Sequence, residues 1–297
     1  MRRLLVGAAL AATVAAEGAP AEKIFELANR HLDELSGLAL SRADPSVLWG
    51  HNDTGAGPVL YRIGPRGEDL GRVLLPDAGA TDWEDIAAFE DAGGPALLVG
   101  DVGDNFAIRS FVTLYAVRDA GRGEPHLLWR LDFEYPDGPR DCEAIGVDPV
   151  SRSILLVSKR DVPQRLYRLA LPEQPPKTRQ VAEFLGEIGP LPVPTLGEKI
   201  RVPLSVNYAH APTALDVSRD GATAVLVTQR HAYVYRRDRN TSWAQAFRVP
   251  AAVIPLPRLG QIEAAALSAD SRELVIGSEG QPGRPDRPGR LARAALP

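Results

Sequence analysis

Cysteine, lysine and long apolar runs are scarce in this chain, and each scarcity excludes a class of protein. Cys142 is the only cysteine, so no internal disulfide can form. Lysine occurs at only four positions while arginine is abundant, a bias typical of high-GC bacterial genomes. No apolar run reaches the roughly 20 residues that are needed to span a bilayer. A fold stabilised by internal disulfides is therefore excluded, and we expect no transmembrane anchor.

The length and the net charge of the chain limit its possible fold and its possible partners. With 297 residues the chain can bury a large core as one all-β domain. A net charge of -4 and a pI near 5.8 argue against nucleic acid or an anionic membrane as the main partner, because both require a basic surface. Small polar ligands, cations and envelope components remain as candidate partners, and we expect a monomer.

The N-terminus has the three zones of a secretory signal. Two arginines follow Met1, an apolar run extends from Leu4 to Ala16, and small residues lead to Ala21. We predict a signal peptide over residues 1–21 and a mature domain over residues 22–297. The mature protein is then expected in the periplasm or outside the cell, without membrane insertion after signal cleavage. We interpret Cys142 as a small buried strand residue, because no histidine lies near it in sequence to activate a thiol.

A fivefold internal repeat is the clearest pattern in the sequence. Each copy opens with small or polar residues, continues as an alternating strand, and is followed by a second, fully apolar strand and a third strand that often contains tyrosine. The five opening segments begin at Glu34, Asp82, Asp141, Ala211 and Gln261. Their equivalent apolar positions, Leu38 to Ala265, lie 48, 59, 70 and 50 residues apart. Four-stranded units repeated in this way are typical of a β-propeller.

The repeat predicts five blades of four strands each. Fourth strands are expected at residues 71–75, 126–133, 179–185 and 244–249. The fifth copy ends without one, so we expect the N-terminal strand Lys23 to Leu27 to complete it and close the ring, which removes open sheet edges. The long third interval contains a proline-rich insertion over about residues 171–208. A sixth blade hidden in that insertion is the alternative.

Acidic residues gather at one end of the first two strands in several of the repeats. In a propeller, the loop before the first strand and the loop after the second strand lie on the same face. The position of Glu84 is occupied in the other repeats by Ser36, Glu143, Thr213 and Glu263. Converging carboxylates must be protonated or be offset by a cation. Hard oxygen ligands suit Ca²⁺, or else Mg²⁺, and the predicted metal ligands are Asp82, Glu84, Asp101, Asp104, Asn105, Glu143 and Glu263.

Basic residues enter the same face after the second strands of two repeats. Lys159, Arg160, Arg230 and His231 could bind a phosphate or carboxylate ligand, and His51 with Asp53 could transfer protons. The sequence thus predicts a propeller that binds a divalent cation and a small polar ligand, with metal-dependent hydrolysis of a phosphoester or lactone as an open extension. In one alternative, the glutamates simply pair with the basic residues. In another, the face is a non-catalytic binding surface or scaffold for a glycan, a peptide or an envelope protein.

Three segments carry a resemblance to a known group of proteins. They are Leu48-Trp-Gly-His-Asn-Asp-Thr-Gly55, Asp82-Trp-Glu-Asp-Ile-Ala87 and Gly100-Asp-Val-Gly-Asp-Asn105. In these the chain resembles bacterial secreted β-propeller proteins, chiefly over residues 34–170. The resemblance implies a propeller and an extracytoplasmic location but no particular activity. The chain is also loosely similar to calcium-dependent propeller hydrolases, namely the calcium-activated nucleotidases, phytases and sugar lactonases. Their ligand patterns are absent here, so no catalytic residue is carried over.

Overall fold

The chain folds into five small sheets arranged in a ring, which is a five-bladed β-propeller. The structure is a computed structural model that describes residues 23–53, 55–193, 196, 208–238 and 240–297. The predicted signal peptide lies outside these residues, as do positions 194–195 and 197–207 of the predicted insertion. No helix in the described part is long and apolar enough to cross a membrane.

Nearly all regular structure in the described residues is β-strand. The strands in chain order are β1 Ile24–Glu26, β2 Leu35–Leu40, β3 Leu48–Asn52, β4 Val59–Ile63, β5 Asp69–Leu74, β6 Trp83–Asp91, β7 Gly94–Asp101, β8 Val112–Arg118, β9 Leu127–Glu134, β10 Cys142–Asp148 and β11 Ser153–Ser158. They continue as β12 Arg165–Ala170, β13 Gln180–Val181, β14 Glu183–Glu187, β15 Pro212–Val217, β16 Thr223–Thr228, β17 His231–Arg236, β18 Ala252–Pro255, β19 Ile262–Leu267, β20 Glu273–Ser278 and β21 Arg290–Ala295. One short helix, α1, covers Trp243–Ala246.

Each blade is built from strands that follow one another in sequence. Blade 1 is β2 to β5, blade 2 is β6 to β9, blade 3 is β10 to β12 with β14, and blade 4 is β15 to β18. In the fifth sheet, β1 pairs with β21 beside β20 and β19. The five-blade prediction is confirmed. The insertion forms no sixth sheet among the described residues, because β13 joins β9 of blade 2 and β14 completes blade 3.

Small residues line the axis because five first strands converge there. A Cβ on Gly37 would collide with the His51 ring and would lie 3.0 Å from the backbone nitrogen of Ile86 in the next blade. A Cβ on Gly146 would lie 3.0 Å from Val217 of blade 4. The second strands β7, β11 and β16 are buried on both faces, which explains their continuous apolar sequences.

Buried aspartates join neighbouring blades. The indole N–H of Trp49 in blade 1 donates to Asp119 at 3.0 Å, and that of Trp243 in blade 4 donates to Asp148 of blade 3 at 3.0 Å. Trp243 sits on α1 because Ser242 and Gln245 form a reciprocal capping box at its start. The strand predicted at residues 244–249 is therefore wrong, and the fourth strand of blade 4 is β18. Cys142 is buried as predicted, and burial raises the pKa of its thiol to about 12.

Candidate functional site

The five repeat positions equivalent to Glu84 are all β-bulges. In each blade the pairing of the first and second strands skips one residue, and the skipped residues are Ser36, Glu84, Glu143, Thr213 and Glu263. A bulge turns a side chain away from the ordinary alternation of a strand and is common beside functional sites. All five are buried at the axis end where the first strands begin. We call this set the bulge ring and this face of the propeller the mouth.

A second set of equivalent positions lies directly above the bulge ring. It consists of the residue that follows the last register pair of each second strand: Asp53, Val102, Lys159, Gln229 and Glu279. We call this set the outer ring. The two rings contact each other, because Lys159 pairs with Glu143 and the Gln229 amide donates to Glu263 at 2.6 Å. Ser36 also donates to the backbone oxygen of Glu84 at 3.0 Å, which ties blade 1 to blade 2.

Negative charge is in excess within the two rings. They hold five carboxylates and one ammonium group, that of Lys159. Burial raises the pKa of Glu84 well above its usual value, and the charges of Glu143, Asp53 and Asp82 add to this. Burial also raises the pKa values of Glu143 and Glu263, although Lys159 opposes the rise. The fold therefore holds these acids where each one disfavours ionisation of the next.

Lys159 and Glu279 respond to the same charge excess. Burial alone would lower the pKa of Lys159, but Glu143, Glu263 and Glu84 raise it above its usual value, so the amine stays charged. Burial raises the pKa of Glu279 to about 8, and Glu263 and Asp53 contribute to the rise. One ammonium group does not offset the surrounding carboxylates. The remaining negative charge can be offset by protonation of these carboxyl groups or by an additional cation.

Two groups of carboxylates lie close enough to share a metal ion. Asp53, Asp82 and Glu84 form one, and Glu84, Asp141 and Glu143 form the other, with ligand oxygens within 4.8 Å of one another. Asp141 is already engaged, since Arg160 pairs with one of its oxygens and the backbone N–H of Asp104 donates to the other at 2.9 Å. Both groups contain Glu84, and the first one joins it to Asp53 of the outer ring.

Three of the predicted metal ligands are turned away from this cluster. Asp101 accepts the backbone N–H groups of Thr81 and Asp82, both at 3.1 Å, and pairs with Arg109 at 2.9 Å. Asp104 accepts the N–H groups of Ile108 and Arg109 within its own loop, at 2.9 and 2.8 Å. Asn105 accepts a hydrogen bond from Arg160. These side chains shape the loop after β7 and form the wall of the mouth.

Asp85 stabilises the axis below the rings. Its side chain has no exposed surface and accepts the backbone N–H groups of Ile145 in blade 3 at 2.9 Å and Leu215 in blade 4 at 3.0 Å. Burial raises the pKa of Asp85 well above its usual value, although these hydrogen bonds oppose the rise. Asp216 bonds the N–H of Leu267 in blade 5 at 2.8 Å in the same way. Asp85 is therefore a cross-blade connector.

The predicted ligand-binding residues occupy two places. Lys159 lies inside the rings, and Arg160 beside them contacts Asp141, Asn105 and the hydroxyl of Tyr208. On the other side of the mouth, Arg230 lines a cavity of about 810 Å³, which also contains Glu279, Arg287 and Arg290. His231 begins β17, and its ring stacks on His210 at 6.4 Å between centroids.

The two predicted proton-transfer residues are placed differently. His51 has no exposed surface; its Nδ1 lies 3.0 Å from the carbonyl oxygen of Asn52, and its ring packs edge-on against Trp83 at 5.5 Å. Burial lowers the pKa of the His51 imidazole. Asp53 lies in the outer ring with the candidate metal ligands. The structure thus gives Asp53 a position suited to binding a cation and gives His51 a position in the core.

The set of predicted site residues leaves out several residues of the mouth. Asp141, Gln229 and Glu279 join the cluster, and Arg287 and Arg290 line the cavity with Arg230. Gln229 and Glu279 follow second strands as Lys159 does, so the repeat places both at the mouth, but the sequence did not assign them a role. Arg287 lies in the loop before β21 and Arg290 is the first residue of β21, and no sequence pattern marked either one as a site residue.

Comparisons with known proteins give structural likenesses but no match in sequence. No family model and no curated protein matches the sequence. A structure of U3-55K and a structure of the RRP9 WD40 repeats each align with 94% of this chain at 12% identity, with TM-scores of 0.47 and 0.46, and cover 100% and 99% of those chains. Kuenenia stuttgartiensis hydrazine synthase aligns with 84% of this chain and 93% of its own at 12% identity and a TM-score of 0.44. At these values none of the three bears on function.

Proposed function

We propose that the mouth binds a divalent cation, Ca²⁺ or Mg²⁺, through Asp53, Asp82 and Glu84. The observation that carries this proposal is the pair of stacked rings, in which five carboxylates surround one ammonium group. Glu143 and Glu263 remain beside the cation as further acidic groups, with Lys159 between them. All candidate ligand atoms are oxygens, which Ca²⁺ and Mg²⁺ prefer and zinc does not.

The small polar ligand of this proposal binds in the cavity next to the rings. Arg230, Arg287 and Arg290 give that cavity positive charge, while Glu279 connects it to the outer ring. Guanidinium groups recognise phosphate and carboxylate, and a neighbouring divalent cation would polarise the same group and activate water. Hydrolysis of a phosphoester or lactone is the catalytic extension of the proposal. In it Asp53 is a cation ligand, and His51, which is buried, has no contact with solvent.

A second candidate function is a non-catalytic binding propeller. Apolar side chains stand exposed on the mouth side, including Phe106 at 83% and Ile108 at 75% exposure. Such side chains are typical of surfaces that bind another protein.

We further propose that the protein acts as a monomer outside the cytoplasm, and that β1 closes the ring through its pairing with β21. The N-terminal charge pattern supports the location, and the register of Phe25 with Leu291 supports the closure by β1.

Thermal denaturation with and without cations tests the proposal. A cation at 100 times its Kd adds about 2.7 kcal/mol of stability, which should raise Tm by on the order of 5 °C. Glu84→Gln should lose this response, because it removes a ligand shared by both carboxylate groups. Glu187→Gln, at an exposed position, is the matched control and should respond like the native protein. An unchanged Tm in Ca²⁺, Mg²⁺ and EDTA would remove the cation from the proposal.

Catalysis needs a separate test. A panel of phosphoesters and lactones is incubated with the native protein, Glu84→Gln and Glu187→Gln, each with Ca²⁺ and with EDTA. The proposal predicts turnover that requires both the cation and Glu84. Turnover that is equal in Glu84→Gln would remove the role of the rings in the reaction, and absence of turnover with intact cation binding would favour the binding propeller.

A further inference from the structure

The loop between β7 and β8 presents two large apolar side chains to solvent at the mouth. Phe106 is 83% exposed and Ile108 is 75% exposed, although the protein has a large core in which other phenylalanines are fully buried. Isolated exposed apolar residues are common on protein surfaces. Here Phe106 and Ile108 are separated by one residue, and we call this pair of exposed side chains the apolar rim.

The backbone fixes the apolar rim in place. The Asp104 carboxylate accepts the N–H groups of Ile108 and Arg109, and the N–H of Ala107 donates to the Asp104 carbonyl at 2.8 Å. The Arg109 guanidinium donates to the Gly103 carbonyl at 2.7 Å and pairs with Asp101. These bonds hold both ends of a short loop, so the exposed side chains are displayed on a rigid support.

The backbone of Ala107, between the two exposed side chains, is strained. Its φ is +51°, a left-handed conformation that non-glycine residues rarely adopt. Such a conformation persists only where surrounding contacts impose it, and it is concentrated at functional and ligand-binding segments. Ala107 lies between the two exposed side chains, so the strain is located where the rim is presented.

The apolar rim lies next to the acidic rings. A Cβ on Gly103 would collide with the carboxylates of Glu84 and Asp82, so the loop starts at the wall of the rings. Three residues further on, Phe106 is at most about 10 Å away along the chain. Asn105 is bonded by Arg160, whose guanidinium lies 4.6 Å from the centroid of the Tyr208 ring. Tyr208, which is 38% exposed, extends the rim around the mouth.

We propose that the mouth docks a peptide segment of a partner protein that carries a lysine or arginine beside a bulky apolar side chain. The apolar side chain packs on Phe106 and Ile108, while the basic side chain extends toward the carboxylates of the rings. Charge complementarity selects this occupant: the five ring carboxyl groups, with Asp82 and Asp141 beside them, outnumber the cationic side chains that pair with Glu143 and Asp141, namely Lys159 and Arg160. The inference rests on the acidic mouth of the proposed function but not on the identity of the cation.

Peptide selection on the full chain tests the inference. A randomised heptapeptide library is selected against the native protein in Ca²⁺ and in EDTA, and recovered peptides are measured by fluorescence polarisation. We expect lysine or arginine within two positions of a bulky apolar residue. Phe106→Ser/Ile108→Ser should weaken these peptides at least tenfold. The matched control Val150→Ser, exposed on the turn between β10 and β11 at the opposite face, should leave affinity unchanged.

The outcomes separate this inference from the proposed function. The docking inference and the cation-binding proposal both hold if the Phe106→Ser/Ile108→Ser variant, called the rim variant, loses peptide binding and keeps the increase of its Tm in Ca²⁺. Peptide binding without any cation response retains the inference and removes the cation. Recovery of acidic or uncharged sequences, failure to enrich any sequence, or equal affinity of the rim variant and the native protein would overturn the docking proposal. Because both rim residues are exposed, their replacement should leave folding intact, which circular dichroism checks.

Discussion

Glu279 offers a direct measure of the electrostatic strain at the mouth. Burial and the charges of Glu263 and Asp53 raise its pKa from 4.5 to about 8. The folded protein therefore favours the protonated form of the Glu279 carboxyl group. This preference contributes fully to the free energy of unfolding below pH 4.5, and the contribution is lost as the pH rises through 8. Each pH unit between these values is worth about 1.4 kcal/mol, so the loss approaches about 5 kcal/mol. Because the Glu279 side chain is partly exposed to solvent, we expect a loss of about 3–5 kcal/mol in the free energy of unfolding.

The variant Glu279→Gln removes this strain and keeps the shape of the side chain. Without cations, we expect it to be more stable than the native protein by about 3–5 kcal/mol at pH 9 and nearly equal to it at pH 4.5. Urea denaturation followed by tryptophan fluorescence at both pH values, in EDTA, gives the two free energies of unfolding. Glu187→Gln is the control and should match the native protein at both. A stability difference that is the same at pH 4.5 and pH 9 would refute the strain at Glu279.

Two further predictions concern the fold. Asp85→Ala leaves the N–H groups of Ile145 and Leu215 without their acceptor and should lower the free energy of unfolding by about 3–5 kcal/mol, measured in urea against the exposed control Asp77→Ala; a loss equal to that of the control would contradict the cross-blade role. Deleting residues 1–27 removes β1 and the buried Leu27 and should lower stability by about 2–4 kcal/mol relative to deletion of residues 1–22. Equal melting of the two truncated chains would show that β1 does not hold the ring closed.

The repeat pattern predicted the fold well because propeller strands alternate or run apolar in ways that a sequence displays directly. The repeat pattern also aligned Glu84 with Glu143 and Glu263, and the structure confirms that each of them occupies the equivalent bulge position of its own blade. The fourth strands were harder to predict, since they are outermost and half exposed and carry little apolar signal. In blade 4 the local capping of α1 by Ser242 overrode the predicted strand.

Side-chain direction in loops was beyond sequence reasoning. Asp101 and Asp104 belong to the same acidic stretch as Glu84, yet they fold back on their own loop because Arg109 and nearby backbone N–H groups bind them. The converse holds for Glu279, which lies far from that stretch in sequence and reaches the mouth only because blade 5 meets blade 1. Which acids converge is a property of the ring, not of any one segment.

Calorimetric titration of the native protein with Ca²⁺ at pH 6 and pH 8 tests the central claim most directly. If the cation binds the ring carboxylates, it must displace the protons that burial and mutual repulsion hold there, so affinity should rise about tenfold per pH unit for each proton released. If one proton is released, we expect Kd to fall by up to about 100-fold between pH 6 and pH 8, and we expect the titration to release protons into the buffer. No binding heat at either pH, together with stability that is unchanged by chelator, would contradict the account.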